Sequence, residues 1–191
     1  ATVRRALRGL KDLHKPFLID KLKFDLRIYI LVTGVAPLRA FIFKEGLARF
    51  ATEEYESPMG PNLNNLCMHL TNYAINKGSQ DFNKMKTPTE MTSAIKDPDF
   101  NTETIDSKRT EENELPSGDE IWEQIKDICV KTLFSGIHSI EHLFRSSKPQ
   151  DIENSLCFQI FGFDIFLDKK CKPWLIEVNH SPSFLTESPL D

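Results

Sequence analysis

Asp164, Glu177 and Asn179 stand on two apolar runs near the end of the sequence, separated by a small charged loop. Residues 156–168 and 173–180 read as strands around the loop at 169–172. Closing that loop as an antiparallel hairpin sets Asp168 against Pro173, Asp164 against Glu177 and Gly162 against Asn179. Facing residues share one side of a sheet with Cβ atoms about 4.5–5.5 Å apart. Glu177 and Asn179, two apart on one strand, share that side as well. Two facing carboxylates repel unless something positive lies between them. Oxygen-only ligands suit a hard cation, Mg²⁺ or Mn²⁺, shared with substrate phosphates. Gly162 would leave room beside the ion. The plainer alternative turns one carboxylate outward or pairs it with a lysine such as Lys172.

A second set of charges lies earlier. Lys23, Asp25 and Arg27 alternate with Phe24, Leu26 and Ile28 and so share one strand face. Two cations and a carboxylate there could grip a phosphate and a ribose, or could form a solvated face. Arg49, in the apolar and small-residue stretch GLARFAT, is a third cation suited to a phosphate or carboxylate, or else a surface arginine. His138 and His142 stand i, i+4 on a helical pattern, but no third ligand accompanies them. The sequence contains no GxxxxGK, GxGxxG or GxSxG motif.

The elements that must position these groups follow from periodicity. Residues 23–33 alternate strictly, with Phe24, Leu26, Ile28, Ile30 and Val32 on one face, which predicts a half-buried strand. Residues 34–37 supply a turn, 38–44 read as its partner strand, and 45–52 continue from that strand. Residues 66–77 read as strand or extended loop. Residues 78–118 are rich in charge, Thr, Ser, Asn and Pro, which predicts a long, mobile insertion. Ser117 and Glu120 have capping-box spacing. Apolar residues from Ile121 to Phe144 then recur at helical spacing, so 119–145 reads as one amphipathic helix.

Composition bounds the class. With 191 residues, 40% hydrophobic and 27% charged, the chain is one domain or a large piece of one. A net charge of -4 gives no whole-domain basic footprint for nucleic acid. No run of about 18 apolar residues suggests a membrane helix. Cys67, Cys129, Cys157 and Cys171 form no CxxC pair and read as reduced thiols of a cytosol-like compartment. The chain begins at Ala1, and Arg4, Arg5, Arg8, Lys11 and Lys15 make a locally basic start, readable as a solvated face, a patch for an acidic partner or a transit-like segment.

Taken in order, KFDLRIYILV, EGLARFAT, MHLTNYAINK, FGFDIFLD and KPWLIEVNHSPSF closely resemble the tubulin tyrosine ligase-like family. The resemblance runs from about Lys15 to the C-terminus, apart from 78–118. It implies an ATP-grasp fold, α/β (α+β), with a mainly antiparallel sheet and flanking helices. The resemblance also implies roles residue by residue. Asp164, Glu177 and Asn179 match Mg²⁺ ligands. Lys23, Asp25, Thr71 and Asn72 match nucleotide contacts. Arg27 matches a basic residue near the phosphates, and Arg49 one that holds the incoming amino acid or its acyl phosphate. Tyr73 matches a position near the added glutamate and His180 one near the acceptor glutamate. Ser107, in the segment 107–109, matches a further contact to the added glutamate.

The implied reaction is ATP-dependent. A carboxylate is phosphorylated and an amine then attacks the acyl phosphate. MHLTNYAINK resembles the glutamate-adding members most, so the expected substrates are free glutamate and acidic tubulin tails. No nucleic-acid or membrane partner is expected. The expected setting is the cytoplasm and its microtubules, cilium or basal body included, and nothing demands more than a monomer. Two departures are visible. ATVRRALRGLKDLH replaces the family's adenine-sandwiching hinge, and the N-terminal half of an ATP-grasp domain is absent. Residues 1–191 therefore read as the C-terminal part of a catalytic domain. An inactive ligase-like fragment that binds microtubules, and a glycine or tyrosine ligase, remain as alternatives.

Overall fold

The computed structural model describes residues 15–71, 73–76, 116–153 and 156–182. Their elements are β1 (Leu18–Ile19), β2 (Leu22–Val35), β3 (Leu38–Ile42), β4 (Leu47–Glu54), α1 (Leu66–His69), α2 (Tyr73–Asn76), α3 (Gly118–Ser147), β5 (Gln159–Leu167) and β6 (Pro173–Asn179). The reading of 78–118 as an insertion lies outside the described residues except for its last three. The basic residues 4–11 also lie outside them.

β2 is the spine of a six-stranded sheet and every pairing on it is antiparallel. β5 runs beside it over 26–32 and carries β6 on its far side. β3 and β4 pair β2 in tandem, so 38–54 is one long partner interrupted at 43–46. At that interruption Gly46 passes so close to β2 that a Cβ would lie 2.7 Å from the Arg27 carbonyl oxygen. Only a residue without Cβ fits there.

The predicted alternation holds. Phe24, Leu26, Ile28, Ile30 and Val32 are all buried. They pack with Phe50 of β4, with Phe163, Ile165 and Leu167 of β5, and with Ile121, Ile125 and Cys129 of α3. Each such side chain contributes about 1.5–3 kcal/mol when fully buried. α3 begins where its sequence says it should. Glu120 N–H donates to Ser117 Oγ at 3.3 Å, and Ser117 N–H donates to Glu120 Oε2 at 2.7 Å. Exposed pairs such as Arg145–Glu141 line its outer face.

One expected element is different. Residues 66–76 contain two short helices rather than a strand or extended loop. Asn65 caps the first, its side chain accepting from Met68 N–H at 3.3 Å. Leu70 is extended (φ -115, ψ 138) and ends the first helix. The segment adds no rung to the sheet; side chains satisfy its His69 and Leu70 carbonyls, Lys23 Nζ the first and Asn76 Nδ2 the second.

Candidate active site

The sheet has two unlike faces. Against α3 it is apolar; on the other side antiparallel pairing lines up charge. Asp25 pairs Arg49 across β2–β4, Arg27 pairs Asp164 across β2–β5, and Asp164 pairs Glu177 across β5–β6. Because paired residues share a face, one row of charged side chains crosses four strands.

The hairpin register brings Asp164 to Glu177 and Gly162 to Asn179, as expected. Its tip does not follow the straight hairpin, which would have set Asp168 against Pro173. Leu167 faces Pro173 there, and the register shifts between Asp164 and Ile165. The loop thus spans 168–172, and Ile176 is an extra, exposed residue on β6. This bulge has a purpose in the packing. Leu175 faces Ile165 and packs on the core, yet Glu177, two residues on, faces Asp164 on the charged side. A regular strand would aim both the same way, and the added residue re-aims Glu177. Asp168 fixes the tip, accepting from Lys170 N–H, Lys172 N–H and Trp174 Nε1–H. Lys172 lies over the Trp174 ring at 4.4 Å, so it is not the counterion of either site carboxylate.

Arginines take that role instead. Arg27 donates through Nε to Asp164 Oδ1 at 2.5 Å and through Nη2 to Oδ2 at 3.0 Å. Arg49 grips Asp25 at 2.7 and 2.6 Å and also reaches Asp164 Oδ2 at 2.9 Å. Thr71 Oγ1 donates to Asp25 Oδ2 at 2.8 Å, and Lys23 Nζ donates to the His69 carbonyl at 2.8 Å. Asn179 Nδ2 bridges Asp164 Oδ2 at 3.3 Å and Glu177 Oε1 at 3.1 Å. Gly162 gives its space to Arg27, since a Cβ there would lie 3.0 Å from Arg27 Cδ and 3.0 Å from Pro182 Cβ.

The network sets the charges. Burial alone would raise the Asp164 carboxyl, but the Arg27 hydrogen bond and the Arg49 charge outweigh it and hold the group below the ordinary carboxylate value. Burial opposes the Arg49 charge, yet Asp25 and Asp164 strengthen it beyond that of a free arginine. Lys23 moves the other way. Burial lowers its ammonium and nearby Asp25 only partly restores it.

The structure therefore brings together Lys23, Asp25, Arg27, Arg49, Thr71, Asp164, Glu177 and Asn179. His180 lies just beyond β6, exposed, its carbonyl accepting from Gln159 Nε2. Tyr73 opens α2. Asn72 and Ser107 lie outside the described residues. His138 and His142 are exposed on α3, and among the described residues no three His, Cys, Asp or Glu side chains gather as a metal site. The candidate set has two carboxylates and one amide. In donor type it fits a hard cation. Asp164 Oδ1 accepts one N–H and keeps a lone pair, and Glu177 is exposed with Oε1 accepting from Asn179. Asn179 would have to present its Oδ1 in place of its Nδ2.

Two residues escaped the sequence reading. Half-buried Thr52 donates through Oγ1 to Oδ1 of fully buried Asn76 at 3.0 Å. A polar Asn among the apolar residues of YAIN was the available signal.

The sequence pattern of the tubulin-tyrosine ligase family matches residues 11–191. The chain belongs to the tubulin-tyrosine ligase family. The matched range takes in 78–118 as well as the strands of the site. The α+β architecture, a mostly antiparallel sheet with a few helices, is the ATP-grasp type expected of part of a family domain. Among family relatives, human tubulin polyglutamylase TTLL6 is 48% identical over 184 residues, covering 93% of this chain and 19% of the relative. Mouse tubulin polyglutamylase TTLL13 is 46% identical over 183 residues, covering 93% and 21%. Tubulin polyglutamylase TTLL7 of Xenopus tropicalis is 41% identical over 181 residues, covering 94% and 19%. The chain spans about a fifth of the length of these curated relatives.

Proposed function

We propose that this chain is the C-terminal part of the catalytic domain of an ATP- and Mg²⁺-dependent ligase that adds glutamate to glutamate side chains of tubulin C-terminal tails. The observation that carries the reading is the row Arg49–Asp25, Arg27–Asp164–Glu177 on one face of the sheet. Lys23, Arg27 and Arg49 are balanced there by Asp25, Asp164 and Glu177. A lone ion would upset that balance, whereas a metal and a polyphosphate enter with compensating charge. The names of the relatives, all tubulin polyglutamylases, support the choice of substrate.

Asp164, Glu177 and Asn179 would hold the metal; Lys23, Asp25, Thr71 and Asn72 would contact the nucleotide. Bound Mg²⁺·ATP would supply the γ-phosphoryl group: a tail carboxylate oxygen bonds to the γ-phosphorus, the bond from that phosphorus to the β–γ bridging oxygen breaks, and ADP leaves behind an acyl phosphate. The amine of free glutamate then attacks the acyl carbon, the C–N bond forms, the C–O bond to phosphate breaks, phosphate leaves and the amine gives up a proton to water. Arg27 and Arg49 would neutralise charge on the phosphoryl oxygens, fixed in advance by their carboxylate partners. Arg49, Tyr73, Ser107 and His180 would bind the two glutamates. Acidic tails suit these cations. Action on microtubules would put the protein in the cytoplasm at the cytoskeleton, cilium or basal body included. Among the described residues no helix is long and apolar enough to cross a membrane.

One observation favours a second reading. Asp164 Oδ2 already accepts from Arg27, Arg49 and Asn179. On that reading the row is a purely structural ion-pair network, and the chain contacts microtubules without ligating anything. Calorimetry with a non-hydrolysable ATP analogue separates the two. Metal-dependent binding that Glu177→Gln and an Asp164→Ala, Glu177→Ala double variant lose supports the ligase. Its absence from folded wild-type protein supports the second reading. Radiolabelled glutamate, glycine and tyrosine, offered with tubulin, then identify the donor; incorporation of glycine or tyrosine alone would reject glutamylation.

A further inference from the structure

Asn76 is fully buried, and the chemistry above leaves it without a task. Its Oδ1 accepts from Thr52 Oγ1 at 3.0 Å and from Thr52 N–H at 3.3 Å, while its Nδ2 donates to the Leu70 carbonyl at 2.8 Å. Thr52 lies on β4, the strand that carries Arg49. Leu70 lies between two residues that reach the charged row. The carbonyl of His69 receives Lys23 Nζ, and Thr71 Oγ1 reaches Asp25. One amide therefore ties the bend between α1 and α2 to the strand beside the site. The tie uses both ends of the amide, so neither an aliphatic side chain nor a carboxylate could replace it. Residues 70–72 separate the two short helices, so the bend owes little to regular secondary structure.

We propose that Asn76 is a positioning residue of this site: through Leu70 it sets where Thr71 and the His69 carbonyl meet Asp25 and Lys23. The inference rests on the reading that Lys23, Asp25 and Thr71 contact the nucleotide. It acts on binding of Mg²⁺·ATP more than on the chemical step, because the bend it ties down carries Thr71 and the His69 carbonyl, whose partners are Asp25 and Lys23.

The test is a double-mutant cycle in the intact protein, with the Kd for Mg²⁺ and a non-hydrolysable ATP analogue read by calorimetry. Asn76→Ala and Thr71→Val should each weaken binding about tenfold, and together scarcely more than either alone, because coupled neighbours are not additive. In the ligase assay Asn76→Ala should raise KM for ATP while kcat at saturation changes little. Multiplying losses, or an unchanged Kd with a lowered Tm, would make Asn76 a structural residue only and overturn the inference. Should Asn76→Ala fail to fold, Thr52→Val and Thr52→Ser decide. The serine retains the hydroxyl donor and should bind nearly as wild type, while the valine should bind more weakly. Equal Kd values for the two would overturn the inference. Failure of folded wild-type protein to bind the nucleotide would overturn the site reading itself, and is seen before any variant is compared.

Discussion

Phe163 and Asp164 are neighbours in the chain, both almost wholly buried, and they live under different rules. Phe163 points to the α3 side and belongs to the hydrophobic cluster. Asp164 points to the other side, into Arg27 and Arg49. An apolar face needs volume and shape, and swaps that keep both are tolerated. A buried charged face needs partners, and a change of one group strands another. The same strands thus offer one surface that is forgiving in chemistry and one that is not.

The largest effect expected is from removing a charge partner. Arg27→Ala should cost roughly 3–5 kcal/mol, because it leaves Asp164 short of its bidentate partner in a buried setting. Urea unfolding measures it. If the loss were below about 1 kcal/mol, the charged face would behave like a solvated surface and the contrast would fail.

On the apolar side Ile30→Val should cost only about 0.5–1.5 kcal/mol and leave nucleotide affinity unchanged. Ile30 is fully buried, so the small cost reflects tolerance and not exposure.

Alkali should attack the apolar side through its thiols. Burial pushes Cys129 up to about 12, and burial with the nearby Asp168 charge pushes Cys171 up to about 12. A raised folded-state pKa means stability is whole below the ordinary thiol value of 9 and is lost as pH climbs from there towards 12. Each thiol should contribute a slope of up to about 1.4 kcal/mol per pH unit in that window. Cys129→Ala should flatten the curve of unfolding free energy against pH; an unchanged slope would refute the burial argument.

The smallest change in stability, within about 0.5 kcal/mol, is expected from Glu177→Gln, since Glu177 is exposed. Its affinity for Mg²⁺ with nucleotide should nonetheless fall about tenfold or more. A variant that is stable yet impaired would show that the charged row ends in a binding group rather than a structural one.

Much of this was legible in the chain because the signals are local. Strict alternation in KFDLRIYILV announced β2 and its faces, and Ser117 with Glu120 announced the start of α3. The members of the charged row that form the candidate site were singled out too, because charged residues alternating with apolar ones announce a second face. The partners of those residues were not. Arg49 meets Asp25 because β4 lies beside β2 in one register, and a period of two does not say which strand pairs with which. Residues 66–76 were misread because their helices are shorter than a periodicity can express. The hairpin was read as straight, with Asp164 correctly facing Glu177, because a longer tip loop and the bulge at Ile176 offset one another.

That bulge also separates two mechanical jobs. Between the site row and the tip, the extra residue lets the strands change step, so the outer rungs need not keep time with the inner ones. The tip carries exposed Lys169 and Lys170, the first held through its N–H by the Lys15 carbonyl and the second through its N–H by Asp168, both far along the strand from Glu177. The hairpin therefore steps once between site and tip, and the exposed Lys169 and Lys170 side chains are places to graft a fluorophore or an affinity handle while the inner rungs stay in register.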